Sequence, residues 1–333
     1  MAAKISVIIP NYNHARYLPE RIESVLWQTE QDIEVLLLDD CSTDNSREVI
    51  AFYAQRDPRI RVVFNEQNSG NTFSQWNKGI ALATGKYIWI AESDDYANPR
   101  LLEKLCAMLE TNPQVSLAYA DSWHVDENGA TLHQHTHDAE EFKDECWREG
   151  FIESGANFIE KQLSIGNVIP NASAVLLRRS IIQQIGPAET NFKLSGDWVY
   201  WIRVLANWEV AFLAEPLNYF RQHTQNVRSK TSRAKVLLEG AKMIKHLRRH
   251  MYLGKAFEER RVRQVLRSCF YAVLYEKMKV AKVKKVLVVL NRTLPNFLSI
   301  CLKELAYTLL ANRMSGIRQL LGDGLLYKVF PKT

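Results

Sequence analysis

Three carboxylates occupy four consecutive positions at Glu92-Ser93-Asp94-Asp95, directly after the short apolar run Lys86-Tyr87-Ile88-Trp89-Ile90-Ala91. A second acidic tip, Asp39-Asp40, closes another apolar run, Glu34-Val35-Leu36-Leu37-Leu38. Carboxylates at the end of a buried strand repel one another and lose hydration, so something must offset them. A hard divalent cation, Mg²⁺ or Mn²⁺, takes oxygen ligands and sits between carboxylates and substrate phosphates. One such tip alone reads better as a polar strand end opening into a solvated turn. Two tips in one chain favour the chemistry.

A further carboxylate stands out at Asp197, in Leu194-Ser-Gly-Asp197-Trp-Val-Tyr-Trp-Ile-Arg-Val-Leu205. It opens an amphipathic helix with Val199, Ile202 and Leu205 on one side. An aspartate there is a candidate general base, although its spacing alone fits a helix cap or dipole partner better. His133, His135, His137 and Asp138 alternate with a spacing that could bind metal along a strand. They follow Glu127-Asn128-Gly129, a hairpin turn signal. No matching ligand group lies near them in sequence, so they read as the polar face of a hairpin or loop.

The two acidic tips need elements that bring them together. Residues 5–9 form a buried strand stopped by Pro10-Asn11-Tyr12-Asn13. Leu18, Ile22, Val25 and Leu26 predict a helix to Trp27. Residues 33–38 are a second strand, and the cap-rich 41–46 starts a helix to about Gln55. A strand at 61–64, a turn at 68–71, a helix at 73–82 ended by Gly85, a strand at 86–91 and a helix at 99–109 follow. Beyond them come a helix over 154–162, a strand through 172–177, a short helix closed by Gly186-Pro187, and a strand over 210–219 leading to His223. Strands and helices in alternation predict an α/β fold: a mostly parallel, Rossmann-like sheet with helices on both faces. Such sheets bind ligands beyond the carboxyl ends of their strands. The 10–13 loop and both acidic tips lie there and should converge on one cleft.

The chain has 333 residues, 47% apolar and 24% charged, as in an ordinary globular protein of more than one domain. The net charge of +6 hides an asymmetry: residues 230–333 carry 23 Lys/Arg against 6 Asp/Glu, a net +17, which leaves −11 on residues 1–229. The five scattered cysteines lack metal-ligand spacing and predict reduced thiols in a cytosolic protein. The N-terminal apolar run is too short for a signal peptide, and no stretch has the composition of a spanning helix. Two glycosylation sequons, at Asn171 and Asn291, are then chance matches.

Taken in order, Ile5-Ser-Val-Ile-Ile-Pro-Asn-Tyr-Asn13, Leu38-Asp-Asp-Cys-Ser-Thr-Asp44, Asn68-Ser-Gly-Asn71 with Trp76-Asn-Lys-Gly79, Ala83-Thr-Gly-Lys-Tyr-Ile88 and Glu92-Ser-Asp-Asp95 resemble one family. They are similar to family 2 inverting glycosyltransferases of the GT-A fold, of bacterial surface-polysaccharide type. The resemblance covers about residues 4–110 closely and 111–226 loosely, and not the tail. It implies that Pro10 and Tyr12 flank the nucleotide base, with Asn13 and Asn68 in the same nucleotide-sugar site. Asp40 would read the base or ribose, Asp39 would support its loop, and Lys78 would lie near the diphosphate. Asp94 and Asp95 match the metal-binding acidic motif, Asp95 foremost. Glu92 stands where relatives more often have Asp, and its longer side chain would reach the metal or sugar differently. Asp197 matches the family's general base. Trp198 would line the sugar and acceptor pocket, and Trp201 reads rather as core. His223 matches a position near the end of the catalytic domain that approaches the metal or diphosphate.

The expected organisation is a catalytic domain over 1–228, with a nucleotide-sugar half over 1–110 and an acceptor half over 111–228, then a basic helical region over 229–333. Helical apolar spacing recurs at 233–250, 258–279, 282–291 and 298–311. This tail reads as a solvated basic face over a helical core, a packing surface for the catalytic domain or a homo-oligomer, or a peripheral contact with the inner-membrane surface. Nucleic acid is not expected, because no recognised binding motif accompanies the charge. The resemblance implies a cation-dependent enzyme moving one sugar from a UDP- or dTDP-linked donor to a hydroxyl of a glycan or lipid-linked glycan. Surface polysaccharide or lipopolysaccharide assembly at the cytoplasmic face of the membrane is the implied setting. Two alternatives remain: a nucleotidyltransferase that makes an activated sugar, and a non-catalytic GT-A scaffold.

Overall fold

A computed structural model of the protein describes residues 2–135, 146–223, 231–250 and 254–311. The chain divides into two compact units, Met1–Ser229 and Lys230–Thr333. The first unit opens with β1 (Ile5–Asn11), α1 (Leu18–Leu26), β2 (Ile33–Asp39), α2 (Ser46–Ala54), β3 (Ile60–Phe64), α3 (Thr72–Leu82) and β4 (Tyr87–Ile90). It continues with β5 (Tyr96–Ala97), α4 (Leu101–Thr111), β6 (Val115–Val125), β7 (Thr131–Gln134), α5 (Cys146–Glu149), β8 (Phe151–Ser154) and α6 (Gly155–Phe158). After a π-helical turn over Ile159–Leu163 and a 3₁₀ turn over Ala172–Ala174 come β9 (Val175–Arg178), α7 (Arg179–Ile185), α8 (Gly196–Leu205) and β10 (Glu209–Arg221).

One ten-stranded sheet organises this unit, in the order β3-β2-β1-β4-β9-β6-β10-β5, with β7 on β6 and β8 on β10. Strands β3, β2, β1 and β4 are parallel. Strands β2, β1 and β4 are buried on both faces, so they read as continuous apolar runs, whereas β3 at the edge is partly exposed. Gly85 lets the chain pass against β1: a Cβ there would stand 2.6 Å from the Ser6 backbone nitrogen. Helix α3 starts under a side-chain cap, with Asn71 Oδ1 accepting from Phe73 N at 2.9 Å and Ser74 N at 3.3 Å.

The second half of the sheet is mixed rather than mostly parallel. Strand β9 runs antiparallel to both β4 and β6, whereas β6 and β10 pair in parallel. The longest departure from the sequence-based expectation is β6, whose buried Ser116, Asp121 and Ser122 interrupt the apolar signal. The expected helix over 154–162 is present as α6 continued by the π-helical turn over Ile159–Leu163, with Ser154, the last residue of β8, capping it through Asn157 N at 3.3 Å.

The second unit contains α9 (Arg233–His250), α10 (Lys255–Leu274), α11 (Val280–Asn291) and α12 (Phe297–Ala311). Leu237, Ile244, Val262, Leu266, Val286 and Leu290 form its core, one helical face from each of the first three helices. Among the described residues, no helix is long and apolar enough to cross a membrane.

Candidate active site

The acidic tip after β4 is held in the sheet by Ala91 N, which donates to Ile8 O at 2.8 Å. Beyond it, the two neighbouring aspartates part company. Asp94 is partly open and meets two imidazoles. Its Oδ2 lies 2.9 Å from His223 Nε2, at the end of β10. His14, in the loop after β1, places its Nδ1 2.8 Å from Ser93 Oγ. One ligand atom each from His14, Asp94 and His223 lies within 4.8 Å of the others. Tyr17 packs against both imidazole rings, at 5.9 and 5.3 Å between centroids. Burial works to raise the Asp94 carboxyl, but the His223 hydrogen bond and the two imidazoles outweigh it and hold it below the ordinary carboxylate range. His223 Nδ1 is buried without a hydrogen-bond partner among the described residues. Two imidazoles and a carboxylate at this spacing fit a divalent cation.

Asp95 faces the other way, into protein. Its Oδ2 accepts from Asn171 Nδ2 at 2.5 Å and Ser173 Oγ at 2.7 Å, and its Oδ1 accepts from Arg221 N at 2.9 Å. The fully buried Arg21 guanidinium stands 4.0 Å away. Burial, and then the charge of Asp94, push the Asp95 carboxyl up to about 7. The structure thus brings Asp94, not Asp95, to the imidazoles, and gives Asp95 the place of a buried tie. Arg221 extends the tie. Its Nε donates to Asp94 O at 2.7 Å, and its guanidinium reaches the Asp126 and Glu127 carbonyls and the Glu20 carboxylate.

Glu92 is partly buried. Trp76 Nε1 donates to its Oε1 at 2.8 Å, and burial, followed by Asp94, pushes its carboxyl up to about 8. Trp76 packs edge-on against Phe73, 4.9 Å between centroids. Gly196 seats the start of α8 on that same Phe73 ring, where a Cβ would collide. Asp197 therefore lies in the first turn of α8, next to the Gly196–Phe73 contact. Its Oδ2 accepts from Asn167 Nδ2 at 2.8 Å, and its Oδ1 accepts from Trp198 N at 2.7 Å. Trp198 donates through Nε1 to Leu163 O at 3.1 Å, while Trp201 is wholly buried.

The first two strand ends lace into a second polar wall. Asn13 adopts a left-handed φ of 58°, and its Oδ1 accepts from Thr43 N at 2.7 Å. Asn11 and Arg47 donate to Asp39 at 3.0 Å each. Asp40 accepts from Asn65 Nδ2, Gln75 Nε2, Ser69 N and Ser69 Oγ at 2.7–2.9 Å, so it holds the 65–71 loop. Lys78 Nζ reaches Asn65 Oδ1 at 2.5 Å, and Asn68 Oδ1 accepts from Gly70 N at 2.5 Å. Pro10 is buried in β1, and Tyr12 beyond it is exposed.

The histidine-rich hairpin lies on β6 and β7. His124 stacks on His133 and His135, with centroids at 4.6 and 5.3 Å. Burial, then His124 and His133, push His135 down to about 4. His137 and Asp138 lie outside the described residues.

Sequence reasoning passed over His14, Arg21, Ser173 and Arg221. A single histidine in a loop and an arginine on a helix carry no local signature, and only their meeting with the acidic tip distinguishes them.

Fold and site together define a transferase domain of GT-A architecture. The chain belongs to glycosyl transferase family 2, whose description it matches over residues 6–186. It is 33% identical over 205 residues to an uncharacterized glycosyltransferase of Methanocaldococcus jannaschii, covering 61% of this chain and 65% of the relative. It is 33% identical over 230 residues to one from Nostoc, covering 67% of this chain and 66% of that one. The match thus spans slightly less than two-thirds of each of these relatives. Among solved structures, S. aureus TarS 1–349 in complex with UDP-GlcNAc superposes with a TM-score of 0.70 at 17% identity, covering 93% of this chain and 91% of that one. A Pyrobaculum calidifontis mannosyltransferase in complex with GDP-Man and Mn²⁺ gives 0.54 at 13% identity, covering 97% of this chain and 88% of that one.

Proposed function

We propose that this protein transfers a single sugar, with inversion, from a nucleotide-diphosphate donor to a hydroxyl of a glycan or lipid-linked glycan in surface polysaccharide or lipopolysaccharide assembly. The observation that carries this reading is the His14–Asp94–His223 cluster within 4.8 Å at the carboxyl end of β4. The imidazole-containing donor set suits Mn²⁺ better than Mg²⁺, which prefers oxygen ligands. A cation bound there would act as a Lewis acid on the diphosphate leaving group. Tyr12 is free to cover the nucleotide base, and the Asp39–Asp40 network holds the loops around it in shape. The TarS complexes with UDP-GlcNAc and UDP favour a uridine donor by analogy of fold. Asp197 takes the proton of the acceptor hydroxyl as that oxygen attacks the anomeric carbon from the face opposite the leaving group. Asn167 orients its carboxylate. Trp198 borders the sugar. A membrane-borne acceptor would be met at the cytoplasmic face of the bilayer.

The test is thermal stability against a panel of nucleoside diphosphates, with and without Mn²⁺. Selective binding stabilises the native state by about 2.7 kcal/mol at a hundredfold excess over Kd. One nucleotide should raise the Tm only with Mn²⁺, and Asp94→Ala should abolish that rise. Equal behaviour of all nucleotides, or a rise that survives Asp94→Ala, overturns the donor-site assignment. Release of nucleoside diphosphate on adding acceptor identifies glycosyl transfer, whereas release of pyrophosphate would identify nucleotidyl transfer.

A further inference from the structure

Helix α12 packs Phe297, Ile300 and Cys301 against the core of its unit and turns Glu304 and Thr308 inward as well. Glu304 is only 3% exposed and lies between two arginines of α10, with Arg267 Nε at 2.6 Å and Arg263 Nε at 3.4 Å. Thr308, one turn on, is also buried and donates to Glu304 O at 2.8 Å. On the other side, Leu298, Leu302 and Leu310 are 70%, 57% and 71% exposed. Their spacings of four and eight residues set them along one side of the helix. A carboxylate withdrawn from water costs desolvation, and exposed leucines forgo hydrophobic gain. The buried Glu304 fixes the rotation of the helix, and that rotation presents the leucines outward.

The charge around this stripe narrows what could cover it. From Lys277 to Lys303 the chain carries seven Lys/Arg and no Asp or Glu. On α11, Lys282, Lys284 and Lys285 are exposed, as are Val280 and Val288. A second copy of the chain meeting this surface face to face would set like charges against each other. A nucleic acid would leave the leucines without a partner. A covering surface that is both apolar and anionic satisfies both features.

We infer that α11 and α12 form an interfacial face for anionic lipid. In this arrangement α12 lies in the plane of the bilayer, with Leu298, Leu302 and Leu310 at the acyl boundary and the lysines at the level of the lipid phosphates. This names the surface for the membrane contact in the reading above. Vesicle binding and nucleotide binding are measured separately, so either can fail without the other.

The test is co-sedimentation of the full chain with vesicles of phosphatidylglycerol and phosphatidylcholine in roughly equal parts, against phosphatidylcholine alone. The wild type should pellet with the anionic vesicles and at least about tenfold less with neutral ones or in high salt. Leu302→Ser/Leu310→Ser should cut binding about tenfold or more with an unchanged Tm. Lys282→Glu/Lys284→Glu/Lys285→Glu should do the same through charge. The inference is overturned if the wild type stays in the supernatant or the leucine variant pellets as well as the wild type. It is also overturned if that variant loses several degrees of Tm, which means that the chain itself covers the stripe. Dissociation of a wild-type dimer by the same variant would assign the stripe to a second copy.

Discussion

The two adjacent aspartates of the acidic tip should give opposite phenotypes when each is replaced by alanine. Asp95→Ala removes the acceptor of three hydrogen bonds, from Asn171, Ser173 and the Arg221 backbone, and takes the facing charge from the 0% exposed Arg21 guanidinium, which keeps its bonds to Glu92 O and Ser173 Oγ. Breaking a buried ion pair from one side costs roughly 3–5 kcal/mol, and an orphaned buried donor costs about 1–3 kcal/mol. These terms overlap, because relaxation and water entry relieve part of each, so about 4 kcal/mol is the expected loss. That is a large part of the roughly 5–15 kcal/mol that holds a domain together. In a unit of this size it corresponds to a Tm lower by about 8–16 °C. Asp94→Ala removes one hydrogen bond, to His223, from a partly open side chain. Its cost is about 1 kcal/mol. Its effect falls instead on Mn²⁺, whose stabilisation of the protein should vanish. Urea unfolding and Mn²⁺ titration of both variants decide the matter. If Asp95→Ala proves too unstable to purify, Asp95→Asn keeps the shape and should show a smaller loss in the same direction. The reasoning fails if Asp95→Ala unfolds like the wild type, or if Asp94→Ala still binds Mn²⁺ with unchanged affinity.

Three further outcomes follow from single contacts. Asp197→Asn keeps the fold and nucleotide binding but removes the proton acceptor, so kcat should fall by about 10²–10⁴. A loss under tenfold, with acceptor KM unchanged, would return Asp197 to the role of helix cap. Asn71→Ala removes the cap of α3 and two hydrogen bonds to Thr190 O and Phe192 O at 2.8 and 3.0 Å, and should cost about 1–2 kcal/mol in urea unfolding. A midpoint equal to that of the wild type would refute it. For Glu34, burial acts to raise the carboxyl, but hydrogen bonds from Ser6 and Thr84 prevail and lower it. Because its folded pKa lies below its unfolded value, its contribution is complete above about pH 5 and fades as pH falls through the folded value. Glu34→Gln should therefore be less stable than wild type at neutral pH and converge with it as the pH falls below the ordinary carboxylate range. A gap independent of pH would contradict that assignment.

The parallel half of the domain was legible from the chain alone, because β1, β2 and β4 are buried on both faces and announce themselves as unbroken apolar runs. Their acidic ends were legible for the same reason, since a carboxylate that stops a buried run is conspicuous. The antiparallel insertion of β9 was not, because strand direction depends on long-range pairing that no local pattern encodes. Strand β6 was hidden by polar residues whose hydrogen bonds are made only in the folded protein: Asn218 donates to Ser122 at 2.9 Å, and Gln134 donates to Asp121 at 2.7 Å. Composition marked the tail as basic and helical, but only packing shows that α12 turns Glu304 inward and Leu298, Leu302 and Leu310 outward. The acidic tip draws the same line most sharply. Sequence alone determined that the chain carries a charged, strand-end site of the kind its family uses. Which aspartate meets His14 and His223, and which is locked to Arg21, was decided by tertiary structure, because neighbouring side chains in a turn diverge and their partners come from segments far apart in the chain.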